Sequence, residues 1–192
     1  MDEKKLLAAL KSGSEEGYRT LVDLYQAKVI NICLGYFPIQ QDAEDLAQEV
    51  FVKLFSSVDK FRGEASLGTW VYRIAVNKCL EMVRYRKRTK RMAFFQSLVG
   101  LDGQAMQISS GQFDHPGVAL ENKERTELLY EHIEKLPEKQ RTAFILSRLE
   151  GLSYQEICAI MEVSLSSVES LLFRAKQNLK KTLRHYYEKQ MI

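Results

Sequence analysis

The sequence predicts an all-α protein of two small helical domains joined by a flexible linker, the second containing a helix-turn-helix. Three observations lead there. Only three prolines and ten glycines interrupt the 192 residues. Apolar residues recur at helical rather than alternating spacing, and no strand pattern survives inspection. Residues 93–120 contain no Lys or Arg but hold four of the ten glycines and one of the three prolines, which is linker composition. Domains are therefore expected at 1–92 and 121–192, and hydrophobic residues at 45% of the chain suffice to give them cores.

In the first domain, Ser12 with Glu15 is a candidate capping box for a helix over roughly 14–36, ended by Pro38. Asp42 then opens the helix DAEDLAQEVFVKLFSSV. Its Ala43, Leu46, Ala47, Val50, Phe51, Leu54 and Phe55 form one apolar stripe, with Asp42, Asp45 and Glu49 along another face and Glu44 beside them. A third helix should begin near Ser66 and run into Arg84, Arg86, Lys87, Arg88, Lys90 and Arg91. No acidic residue lies among these six cations. They suit either replacement of counterions along phosphates or a solvated helix end that complements the macrodipole.

After the linker, charged helical periodicity returns at Glu121, and Pro137 sits at a first helical turn. The segment from Glu150 to Tyr187 then has the order of a helix-turn-helix. Ser153 with Glu156 is a capping box, Ile157 and Ile160 face a core, Glu162-Val163-Ser164 is the turn, and Ser164 can cap the next helix. On that helix Val168, Leu172, Ala175 and Leu179 share one stripe, while Ser166, Ser170, Phe173 and Gln177 lie opposite, flanked by Glu169 and Arg174. An outward Phe173 suits a patch on a neighbouring helix or contact with a thymine methyl. Glu169 suits either acceptance from cytosine N4 or ion pairing along its own helix.

Charge is patchy rather than large. Residues 1–92 carry 16 basic and 12 acidic side chains, residues 93–120 none and 2, and residues 121–192 carry 12 and 11, for a net +3. Such patches suit a protein that touches both nucleic acid and a protein partner. Cys33, Cys79 and Cys158 are widely spaced and set among apolar residues, as buried free thiols of a reducing cytosol would be. The charged amino terminus and the lack of any apolar run near 18 residues argue against a signal peptide or membrane span, so a cytoplasmic protein is expected. His115, His132 and His185 lie far apart without a nucleophile arrangement, so no catalysis, metal or cofactor is expected. A metallonuclease built on Asp42, Asp45 and Glu49 is the enzyme alternative, and adjacent carboxylates on an amphipathic helix are more often surface.

DAEDLAQEVFVKLF, then FRGEASLGTWVYRIAVNKCLEMVRYRKR, then LPEKQRTAFILSRLEGLSYQEICAIMEVSLSSVESLLFRAKQNLKKTL resemble, in order, the bacterial sigma factors of the sigma-70 superfamily, extracytoplasmic-function (group IV) type. The resemblance spans about residues 14–186. It implies a transcription initiation factor that directs core RNA polymerase to promoters. Its first domain would serve polymerase and the minus-ten element, and its second the minus-35 element.

Carried onto this chain, the resemblance assigns Asp42, Glu44, Asp45, Gln48 and Glu49 to docking on polymerase, whose β′ coiled coil and β subunit are the implied partners. Phe61, Arg62, Gly63, Glu64, Ala65 and Ser66 match the loop that receives a base flipped from the non-template strand. Arg73, Asn77, Arg84, Arg86, Lys87 and Arg88 would follow the strand, with Asn77 on a base; Trp70 is read as core. Arg141 matches a phosphate contact, and Ser166, Ser167, Glu169, Ser170, Phe173, Arg174, Lys176 and Gln177 lie on the helix that matches the major-groove one. Relatives often carry a basic residue at the positions of Glu169 and Leu171, so the resemblance does not fix which minus-35 sequence is read, and the reduced positive charge implies weak binding by the second domain alone, with tethering supplying affinity. Promoter DNA and an anti-sigma protein complete the implied partners. A stand-alone helix-turn-helix regulator is the alternative, distinguished by needing neither a docking helix nor a base-capture loop.

Overall fold

The computed structural model describes residues 2–98 and 128–190, which are helical without a strand among them. Helix α1 spans Glu3–Lys11, α2 Glu15–Tyr36 and α3 Gln40–Ser57; a 3-10 turn at Val58–Lys60 leads through a loop to α4, Leu67–Leu98. Residues 128–134 are helical and are termed α5. Helices α6 (Glu138–Arg148), α7 (Tyr154–Met161) and α8 (Leu165–Gln190) follow.

Several boundaries differ from expectation for local reasons. The box at Ser12 and Glu15 is not formed. Ser12 instead closes α1, its hydroxyl donating to the Ala9 carbonyl at 2.9 Å, and Ser14 caps α2 by accepting from the Gly17 N–H. Helix α1 itself was not anticipated; Leu6 and Leu10, four residues apart, are almost fully buried and hold it down. Helix α3 starts two residues before Asp42, with Ile39 at the cap and no side-chain bond there. Helix α4 begins one residue after Ser66, whose hydroxyl accepts the Thr69 N–H at 3.1 Å. It then continues to Leu98, past the point where the linker was expected, because no Gly or Pro lies between Gly68 in its first turn and Gly100. The rest of the expected linker, and residues 121–127 of the second domain, lie outside the described residues.

Helices α1 to α4 pack around Leu21, Val29, Ile32, Ala43, Leu46, Val50, Leu54, Val71 and Ala75, all buried. Phe37, extended at φ −136°, and Pro38 end α2 as the sequence required. Helix α8 lies on α5 and α6 through a small cluster of Ile133, Leu136, Ala175 and Leu179. Ile145, Leu146, Ile157, Ile160 and Val168, by contrast, belong to one contiguous core with α1 to α4. The two expected domains are thus closed on one another, with α7 against α4 and α6 against α2. Cys33 and Cys79 are buried free thiols with sulfurs 3.8 Å apart. Burial, first, and the neighbouring Cys33 push the Cys79 thiol well above its ordinary pKa.

Helix α2 meets α1 at Gly17, where an added Cβ would stand 2.9 Å from the Ala9 Cβ and 3.0 Å from the Ala9 carbonyl carbon. Backbone cannot yield as a side-chain tip can. Gly17→Ala is therefore expected to lower stability by about 1–3 kcal/mol in urea denaturation, despite its gain in helix propensity.

Candidate nucleic-acid and polymerase interface

The acidic face of α3 is laid out as its spacing dictates. Glu44, Asp45, Gln48 and Glu49 are exposed, while Asp42 is only partly so. Asp42 accepts from the Arg86 guanidinium at 2.8 Å, and Arg86 also lies over the Phe37 ring at 4.6 Å. Glu49 pairs with Lys78 at 3.0 Å. Two of the assigned groups, Asp42 and Arg86, therefore hold each other. Among the described residues no group of three or more His, Cys, Asp or Glu side chains is placed to hold a metal ion.

Between the 3-10 turn and α4, residues 61–66 form a loop whose parts divide sharply by burial. Phe61 is buried against Trp70, ring centroids 5.2 Å apart, so its ring is floor rather than rim. Arg62, Gly63, Glu64 and Ser66 are exposed, and Gly63 takes φ +76°, a conformation that L side chains rarely adopt.

Arg73, Asn77 and Arg84 do share one face of α4, as their spacing implied, but that face is turned to the second half of the chain. All three line a cavity of about 260 Å³ closed by Glu138, Lys139 and Thr142 of α6 and by Ile160 to Val163. The Arg73 guanidinium donates to the Ala159 carbonyl near the end of α7, at 2.6 and 3.0 Å, and pairs with Glu162 at 3.0 Å. Glu162 holds the turn of the helix-turn-helix in the left-handed region, φ 55°. Arg84 reaches Glu138 at 3.0 Å, with Lys87 beside it at 3.9 Å. Arg88 remains exposed.

Arg141 is the sharpest departure. Expected at a phosphate, it is 5% exposed. It donates to the Tyr36 and Gly35 carbonyls at 2.6 and 3.3 Å, with its guanidinium 5.0 Å over the Tyr36 ring. It thereby satisfies the carbonyl end of α2, where the helix dipole favours a cation. Burial nonetheless lowers its pKa, and its Nε lies buried with no acceptor among the described residues. The Tyr36 hydroxyl meets the Thr142 hydroxyl at 2.6 Å, and the Tyr72 hydroxyl donates to Glu150 at 3.1 Å. Glu150 is pushed up in pKa by burial.

The helix-turn-helix follows its sequence signals. Ser153 and Glu156 form the reciprocal box, which lowers the Glu156 pKa, and Ser164 accepts the Ser167 N–H at 3.3 Å to start α8. Ser166, Glu169, Ser170, Phe173, Arg174, Lys176 and Gln177 are exposed and Ser167 partly so; Phe173 is 64% exposed and packs on no helix core. Val168, Ala175 and Leu179 are buried, as the wheel required.

The two helical units match, in order, two regions of a known family. Residues 21–89 match sigma-70 region 2 and residues 126–179 match sigma-70 region 4. Over 181 residues the chain is 32% identical to the extracytoplasmic-function RNA polymerase sigma-E factor of Escherichia coli K12, covering 92% of each. The chain belongs to the sigma-70 superfamily, extracytoplasmic-function type.

This sigma factor is also 30% identical over 188 residues to the RNA polymerase sigma-H factor of Pseudomonas aeruginosa, covering 94% of this chain and 93% of that one. Its fold is shared with CnrH, solved in complex with the cytosolic domain of CnrY, at TM-score 0.66, 19% identity and coverage of 95% and 97%. It is likewise shared with RpoE of Bartonella quintana, solved with the anti-sigma factor NepR, at TM-score 0.59, 22% identity and coverage of 87% and 96%. Membership makes the protein a transcription initiation factor.

Residues that only the tertiary structure exposes to view are those of the seam between regions 2 and 4: Gly35, Tyr36, Tyr72, Glu138, Thr142, Glu150 and Glu162. No local signal marks them, since the bonded partners stand as many as 106 residues apart. Gly35 alone offers a hint, as a glycine within a helix. Its added Cβ would come within 2.9 Å of both Ile145 γ-carbons. Gly35→Ala should keep region 2 folded, because helix propensity improves by about 1 kcal/mol, while forcing the seam apart. Small-angle scattering is expected to show a larger radius of gyration for the variant, with unchanged helical circular dichroism.

Proposed function

We propose that this sigma factor docks core RNA polymerase through the acidic face of α3, melts and reads a minus-ten element with loop 61–66 and α4, and reads a minus-35 element with α8. The observation that carries the reading is the exposed row Glu44, Asp45, Gln48 and Glu49 on α3, an acidic ridge open to solvent with Lys78 paired to its Glu49 end, which suits a basic partner surface. The exposed cations Arg62, Arg88, Lys90 and Arg91 suit a nucleic-acid strand nearby. On α8, the outward Ser170, Phe173 and Gln177 suit base edges in a major groove, with Phe173 matched to a thymine methyl and Glu169 to a cytosine amine.

The closed seam adds a step. Arg141 cannot touch phosphate while it holds the α2 carbonyls, Arg73 is engaged by Ala159 and Glu162, and Asn77 and Arg84, though exposed, have α6 and α7 along one side. Promoter binding on this reading requires regions 2 and 4 to separate, and the closed form is the resting one. A protein that stabilises the closed form would inhibit, and the solved relatives in complex with CnrY and NepR support an anti-sigma partner here. Regions 2 and 4 then act as two weak DNA-binding modules tethered through the chain between α4 and α5, with effective concentration supplying the joint affinity.

The deciding experiment mixes the purified chain with bacterial core polymerase and a random DNA library and maps transcription starts. Starts preceded by two spaced motifs are expected. Tight duplex binding by the chain alone without transcription would instead favour a stand-alone regulator. Asp45→Lys with Glu49→Lys should abolish core binding in a pull-down while helical content stays intact, since both side chains are solvent-facing. Glu169→Arg should change the selected minus-35 motif, with stability altered by no more than about 0.5 kcal/mol.

A further inference from the structure

Helix α1 lies outside both matched regions, which begin at residue 21 and end at residue 179. Its Leu6 and Leu10 are core residues, yet its first residue does something a mere packing helix need not do. The Glu3 carboxylate accepts the backbone N–H of Leu67 at 2.7 Å, across 64 residues of chain. Leu67 is the first residue of α4, where loop 61–66 ends. At the other end the loop leaves the 3-10 turn Val58–Lys60, and α1 packs against that turn as well. One short helix therefore grips both ends of the loop.

The surroundings tighten this grip. Ser66 accepts from Thr69, so two of the unpaired N–H groups at the start of α4 are held, one from within the loop and one from α1. A negative carboxylate is also the favourable partner for a helix N-terminus. Tyr25 stands behind the same point: its hydroxyl would lie 3.3 Å from a Cβ at Gly68, and burial, then Glu3, raise its pKa. With Phe61 packed on Trp70, the exposed Arg62, Gly63, Glu64 and Ser66 form the solvent-facing rim of the loop.

We propose that Glu3 is a positioning residue for this loop: by anchoring Leu67 it fixes the gap between Phe61 and Ser66 into which an unstacked base of single-stranded promoter DNA enters. The proposal rests on the base-capture reading of residues 61–66. Its physical reason is preorganisation. Extruding a base costs about a few kcal/mol of stacking, and a loop that must also be ordered on binding adds to that cost. Because Glu3 is solvent-exposed apart from this bond, its loss bears on the loop more than on the fold.

The test compares holoenzymes made from the full chain with Glu3 intact, with Glu3→Ala and with Glu3→Gln. The probe is a single-stranded non-template oligonucleotide taken from a selected promoter, with 2-aminopurine at successive minus-ten positions. Glu3→Ala should weaken the oligonucleotide about fivefold and slow open-complex formation, with core affinity and melting temperature unchanged. Glu3→Gln, whose amide oxygen still accepts the Leu67 N–H, should bind within about twofold of the parent. Parent-like binding by Glu3→Ala overturns the positioning role, as does a loss of oligonucleotide and core binding in step with a lower melting temperature. If the parent holoenzyme itself fails to distinguish the minus-ten strand from a scrambled one, base capture falls, and the proposal falls with it.

Discussion

The guanidinium of Arg141, withdrawn from water at the end of α2, is the interaction on which the arrangement of the two halves depends. A buried cation must find acceptors or the seam would not close. Here it finds carbonyls rather than a carboxylate: those of Gly35 and Tyr36, at the negative end of a helix dipole, with the Tyr36 ring beneath. Everything around it follows that choice. Gly35 must lack a side chain so that Ile145 can approach, Tyr36 and Thr142 share a proton-bearing contact, and α6 is drawn against α2.

The seam is held by contacts that are individually modest. Among the described residues the buried Arg141 Nε has no acceptor, and burial raises the Glu150 pKa. The Arg73–Glu162 and Arg84–Glu138 pairs are substantially exposed and contribute little in salt. Such a joint holds the free chain closed yet yields to a stronger ligand. On the proposed reading its cations Arg73, Arg84 and Arg141 would also serve a strand or a phosphate, so closing and DNA binding would compete for one set of charges.

Much of the fold was legible from residue spacing alone. The stripes of α3 and α8, the box at Ser153 and Glu156, the cap at Ser164 and the stop at Pro38 each rest on contacts within about four residues, which sequence displays directly. The exposed faces of α3 and α8 were legible for the same reason. Helix α1 is less legible because it is only nine residues long, and its Leu6 and Leu10 acquire meaning only when α1 packs on α2 and the 3-10 turn. Phe61 looked like a loop residue and is floor because Trp70, nine positions on, turns back over it.

Sequence by itself determined the class of fold, the helix-turn-helix and the charged faces, since helical periodicity and capping are local properties of a chain. Only the tertiary structure decided which cations those faces leave free. What Arg141, Arg73 and Arg84 are bonded to depends on carbonyls and carboxylates more than fifty residues away, and the burial of Arg141 is a property of the packed whole rather than of any segment.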